Sequence, residues 1–148
     1  MASSIKRWAV VALVGAFVLV WRAETSQDVA AQARRPIMMT RIYTGPDGLS
    51  HAEEIEMRLN GNVSEMMKAT GVEFSRRAPA PVSDWHVGPR RQFVITLSGR
   101  AEIEVAGGKK VAIGPGHINL IEDTTGKGHT TRNIGPDDRI VVTIPLAN

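Results

Sequence analysis

From Ile37 to the end, glycine and proline interrupt this chain at such short intervals that strands and turns, rather than long helices, fit between them. The interruptions include Gly45-Pro46-Asp47-Gly48, Asn60-Gly61, Pro79 and Pro81, Gly88-Pro89, Gly99, Gly107-Gly108, Gly114-Pro115-Gly116, Gly126, Gly128 and Gly135-Pro136. Glycine weakens a helix interior through backbone entropy, and proline through its missing N–H. The runs between these breaks predict strands over 37–44, 51–59, 72–76, 91–98, 101–105, 109–113, 117–121, 129–134 and 139–144. Glu102-Ile103-Glu104-Val105 alternates with the period of two of a half-buried strand. Gly107-Gly108 between two alternating runs predicts a two-residue hairpin. Many short, evenly punctuated strands imply a sandwich or a closed barrel. The single predicted helix is 63–70, capped by Asn62 or Ser64, with Met66 and Met67 as packing residues.

The first 33 residues have a different character. Lys6 and Arg7 precede an apolar run from Trp8 to Trp21, broken only by Gly15. At 14 residues this run is short for a membrane span, which needs about 20, and it suits the apolar core of a secretory signal. Ala31-Gln32-Ala33 supplies a small-x-small cleavage site. The expectation is a signal peptide over 1–33 and one folded domain over 34–148, exported to the periplasm or beyond the cell. The alternative is an uncleaved anchor, which would be the domain's only contact with a membrane. A domain of roughly 115 residues has room for one hydrophobic core and not two.

Composition narrows the function classes. With no cysteine, the chain has neither disulfides nor thiolate metal sites nor a cysteine nucleophile. The formal charge of +3 falls to +2 without the leader, which holds three basic and two acidic residues. No basic run is longer than a pair, and no aromatic residues interleave with the basic ones, so nucleic acid is not an expected partner.

The four histidines, His51, His86, His117 and His129, form no local metal-binding pair by spacing. His86 is followed by Gln92, six residues and Gly99. Thr124-Thr125-Gly126-Lys127-Gly128-His129 is followed by three residues and Asn133, and Gly114-Pro115-Gly116 precedes it. These two stretches resemble the two motifs of the cupin superfamily. The first motif has two histidines one residue apart, then Glu, six residues and Gly; the second has PxGxxH, three residues and Asn. Gln92 stands in the place of the motif glutamate, one first-motif histidine is missing, and Thr124 replaces the proline. The runs Trp85–Gln92 and Glu122–Thr131 also resemble a subgroup of small, single-domain RmlC-like cupins.

The resemblance implies an all-β, single-domain cupin β-barrel, a double-stranded β-helix or jelly roll. It implies a site inside the barrel, where alternate residues of a strand point inward. One expectation is a divalent metal, Fe, Mn, Ni, Cu or Zn, held by His86, Gln92 and His129, with His51 as a further imidazole and Asp123 or Glu122 as a possible carboxylate. Such a site would suit an oxygenase or isomerase acting on a small organic acid. Arg90, Thr96, Lys127 and Asn133 are the expected substrate contacts. The other expectation is a metal-free module that binds or senses a small saccharide or carboxylate through Gln92, Thr96, His129 and Asn133. His117 is expected on the surface, and the alternating apolar residues of 139–144 are compatible with a homodimer.

Overall fold

The computed structural model describes residues 35–147, so the signal segment expected over 1–33 lies outside the described residues. All nine predicted strands are present, with ends shifted by a few residues. In chain order they are β1 (Met38–Thr44), β2 (Ser50–Glu56), β5 (Glu73–Arg77), β6 (Gln92–Ser98), β7 (Arg100–Glu104), β8 (Lys110–Ile113), β9 (Ile118–Glu122), β10 (Thr130–Ile134) and β11 (Arg139–Pro145). Two short strands, β3 (Leu59–Asn60) and β4 (Val63–Ser64), form a small ladder of their own across the Asn60-Gly61 turn.

That ladder stands at the start of the expected helix, and the rest of 63–70 is not helical. Every residue from Arg58 to Phe74 is exposed, so no packed face rewards helix formation. Eight residues are too few for a helix to hold without such packing. Backbone bonds from Thr70 N to Pro145 O (2.9 Å) and from Ala147 N to Lys68 O (2.9 Å) tie the segment to the chain end. Met66, expected to pack, is among the most exposed apolar side chains.

Six strands form one sheet in the order β2-β1-β9-β6-β11-β5, and three form a second in the order β10-β7-β8. Among the described residues the expected closed barrel is not found. Each sheet keeps two edge strands, and one face of the first packs on the second, as in a sandwich. Ile42, Ala52, Val94, Ile121 and Val141 from the larger sheet pack with Ala101, Ile103, Val105 and Ile113 from the smaller. Ile42 and Val141 are wholly buried, and each such side chain stabilises the fold by about 1.5–3 kcal/mol. Met39, Phe93, Leu120 and Leu146 form a second, smaller cluster. Their neighbours in sequence, Thr40, Val94 and Ile121, belong to the opposite face, as strand alternation requires.

The expected two-residue hairpin between β7 and β8 is a three-residue turn, Ala106–Gly108. Val105 N donates to Lys109 O (3.0 Å) and Gly108 N to Val105 O (3.2 Å). Gly107 and Gly108 both have positive φ, 77° and 78°, a region that only glycine enters at little cost.

Outside the sheets, the loop 83–88 runs beside the start of β10. Ser83 N donates to Thr131 O (3.0 Å), His86 N to His129 O (2.9 Å), His129 N to His86 O (2.9 Å), and Gly88 N to Asp123 O (3.0 Å). These bonds bring the first cupin-like motif against the second.

Candidate functional site

The reciprocal bonds between His86 and His129 form an isolated antiparallel bridge. The approach is possible because Gly128 has φ of +76°, and a Cβ there would fall on the carbonyl of His86. The two rings lie side by side, with centroids 4.6 Å apart and planes inclined by 56°. His86 is exposed and His129 is buried.

Both rings are held by Nδ1. His86 Nδ1 donates to Asp84 O at 2.9 Å, since a carbonyl only accepts. His129 Nδ1 donates to Asp123 Oδ2 at 2.6 Å, and Ser50 Oγ donates to the same oxygen at 2.8 Å. Asp123 and Ser50 are wholly buried. With each Nδ1 committed to an acceptor, Nε2 is the ring nitrogen left to meet a ligand.

A cavity of about 180 Å³ lies between the sheets, and His86, His129, Gln92, Asn119, Arg77 and Arg139 supply its polar lining. Val94, Ile103 and Ile121 form an apolar wall. Gln92 and Val94 both line it, two residues apart on β6, and Thr96 continues that face. The structure thus brings together His86, Gln92 and His129, from segments 37 and 43 residues apart in the case of Gln92–His129 and His86–His129 respectively.

His51 is not among them. On β2, Ser50 and Ala52 face inward, so His51 faces outward. Its Nε2 lies 3.0 Å from Asp47 and its ring packs near Tyr43. The apolar Ile55 and Met57 pack against the Met39–Phe93 cluster, so alternation sets His51 on the side away from the cavity. Glu122 also points away, accepting from Arg41 Nε (2.5 Å) and Arg91 Nε (2.6 Å). Burial raises its pKa, but these two guanidiniums outweigh that effect and hold it below the usual carboxylate value.

The four expected substrate contacts separate. Thr96 is wholly buried and accepts from Arg139 Nε (3.1 Å) and Nη2 (3.0 Å). Asn133 does not line the cavity; its Nδ2 donates to the carbonyls of Arg77 and Ala78, 3.1 and 2.8 Å away. Lys127 sits over the Trp85 ring, 4.0 Å from its centroid. Arg90 lies on an adjoining groove with Glu73 and Thr143, which shares Arg77, Pro89 and Gln92 with the cavity.

Sequence reasoning missed Asn119 and Arg139. Both are buried, at 0% and 1% exposure, although each sits in a strand whose neighbours are mostly apolar. A polar residue on the inward face of such a strand is the signal that marks them. His117, expected on the surface, is half-buried, with Nε2 3.0 Å from Thr40 Oγ1. Burial lowers its pKa, and Arg139 lowers it further, against Glu54 and the nearby Asn119 amide. Asn119 is close enough to favour the charged ring, yet among the described residues neither of its amide atoms reaches hydrogen-bond geometry with any group.

A neutral His117 is therefore preferred by the folded chain. As pH falls below 6.5, the unfolded chain takes a proton that the folded one resists, and stability drops. Thermal melts of wild type from about pH 7.5 to about pH 5.5 should show a decline that His117→Gln makes shallower. Parallel declines in both proteins would contradict this placement.

No protein-family model and no curated protein matches the chain. Several solved structures do. A protein from Neisseria meningitidis is 15% identical with a TM-score of 0.39, over 56% of this chain and 84% of that one. An RmlC-like cupin protein from Desulfovibrio desulfuricans is 17% identical with a TM-score of 0.36, over 54% of this chain and 80% of that one. The cupin domain of Schizosaccharomyces pombe Cnp3 is 14% identical with a TM-score of 0.34, over 78% of this chain and 88% of that one. At these scores no feature of the site rests on the likeness. Two of the three are named as cupins, the superfamily that the two sequence motifs resemble.

Proposed function

We propose that this chain is an exported, cupin-type binding domain whose cavity holds a small polar molecule. His86 and His129 contact it through Nε2, and Gln92 and Asn119 through their amides. The observation that carries this reading is Asn119, wholly buried on the cavity wall with both amide atoms unpaired. Buried polar groups nearly always have partners, and an orphaned one costs about 1–3 kcal/mol. An acceptor group on the ligand satisfies the amide nitrogen, and a donor, where the ligand carries one, satisfies the oxygen.

A resident divalent metal is the weaker expectation. The available donors, two imidazoles and an amide, are neutral. No Asp or Glu lines the cavity, and two guanidiniums do. Among the described residues no group of three or more His, Cys, Asp or Glu side chains is placed to hold a metal ion. A dication would find no charge compensation there, so the residues present do not fit one.

The Asp123–His129 pair favours a second reading. A ring oriented by a buried carboxylate is suited to accept a proton from a bound molecule, as an isomerase requires. Exchange of a probe's carbon-bound hydrogen for solvent deuterium would separate this from binding alone.

The binding reading is tested on the full-length chain with ¹⁵N-labelled histidine and a panel of small polyols, amides and carboxylates. Saturable shifts of the His86 and His129 ring nitrogens are expected, unchanged by chelator and weakened by Asn119→Ala. Shifts caused only by Zn²⁺ or Co²⁺ would overturn it in favour of a metal centre, and no shift with any probe would remove the site.

A further inference from the structure

Arg139 opens β11 on the face that continues through Val141 and Thr143, so its guanidinium enters the interior. It is 1% exposed and lines the cavity. Its protein partner is the single hydroxyl of Thr96, which receives both Nε and Nη2. Among the described residues no carboxylate pairs with it. Burial pushes its pKa down to about 10, and the charge of Arg77 pushes the same way. It nevertheless stays cationic at neutral pH. Isolated charges are costly to bury, and stable interiors pair them.

The rest of the cavity supplies no anion either. Asp123 is not part of the lining; its Oδ2 is engaged by His129 and Ser50, and its Oδ1 is buried with no partner among the described residues. Arg77 adds a second cation at the exposed side, while the Asn119 amide is unpaired in the interior. The cavity is therefore a cationic interior with one apolar wall.

We propose that the ligand is a small carboxylate whose carboxylate group binds Arg139 and the amide nitrogen of Asn119, with its apolar body against Val94, Ile103 and Ile121. This rests on the cavity being the binding site. A guanidinium edge matches the two oxygens of a carboxylate with parallel bonds. One buried positive charge balances one negative charge. A phosphate dianion asks for more donors than one guanidinium edge and one amide. The volume of about 180 Å³ is slightly larger than an engineered cavity of about 150 Å³ that takes benzene, so the acid is small.

The test uses the full-length chain with benzoate, hexanoate, benzamide and inorganic phosphate, read by calorimetry and by the ¹⁵N shifts of the histidine rings. At least one of the two carboxylates should bind saturably, with benzamide at least tenfold weaker. Arg139→Met should weaken the carboxylate at least tenfold without lowering the melting temperature, because it removes an uncompensated charge. Arg139→Lys, which keeps the charge but loses the planar edge, should fall between the two and covers the case in which the methionine variant does not fold. Equal carboxylate affinity in wild type and the Arg139 variants would overturn the proposal, as would phosphate binding more tightly than both acids. Binding of benzamide or a polyol at the histidine pair without either carboxylate would overturn it while leaving the cavity reading intact. Silence of His86 and His129 toward every probe would overturn both.

Discussion

Gly128→Ala is expected to lower the stability of the full-length chain by about 2–5 kcal/mol and to part His86 from His129. Two effects combine. A left-handed backbone costs a non-glycine residue roughly 1–2 kcal/mol. The new methyl group would also meet the His86 carbonyl and the Val87 backbone, and relieving such an overlap typically costs about 1–3 kcal/mol. Gly108→Ala is the control, since Gly108 has a similar φ of +78° with nothing near the added carbon. It should lose only the backbone part, about 1–2 kcal/mol. Urea unfolding of both variants makes the comparison. Equal losses would mean that the two motifs do not meet at Gly128.

Asp123→Ala should be comparably damaging for a different reason. It leaves Ser50 Oγ and His129 Nδ1, both donors in buried positions, without their shared acceptor. At about 1–3 kcal/mol for each orphaned donor, the cost is about 2–6 kcal/mol. Asp123→Asn keeps an acceptor oxygen and should lose less. The alanine variant should also free the His129 ring, so that its ¹⁵N shifts report a mixture of tautomers in place of the Nδ1–H form. An alanine variant as stable as wild type, with an unchanged tautomer, would show that the carboxylate does not hold the ring.

Much of the fold was legible because glycine and proline act locally. A break such as Gly114-Pro115-Gly116 ends a strand whatever surrounds it, and the Gly107–Gly108 pair sits at a hairpin turn even though the loop has one residue more than expected. Closure of the barrel was not legible, because it depends on which edges pair across the molecule. The expected helix at 63–70 failed for a related reason. Its local pattern permits a helix, but its exposure supplies no packing to hold one.

The candidate site divides along the same line. His86, Gln92 and His129 could be placed by motif spacing, and Gln92, Val94 and Thr96 share a face because strands alternate. His51 was misplaced because the inward residues of β2 are the small Ser50 and Ala52, which give a weak sign of register. Arg139 and Asn119 went unread because their significance lies in what is missing around them. A lone arginine at the start of a strand ordinarily sits on the surface with a partner; only the packed structure shows this one inside without a carboxylate.

The convergence of His86 and His129 is tested most directly by nuclear Overhauser contacts among the histidine ring protons of the full-length chain. With centroids 4.6 Å apart, the two rings should show strong mutual cross-peaks and none to His51, with His129 in a single Nδ1–H tautomer. A His86 ring that rotates freely, without a cross-peak to His129, would contradict the site.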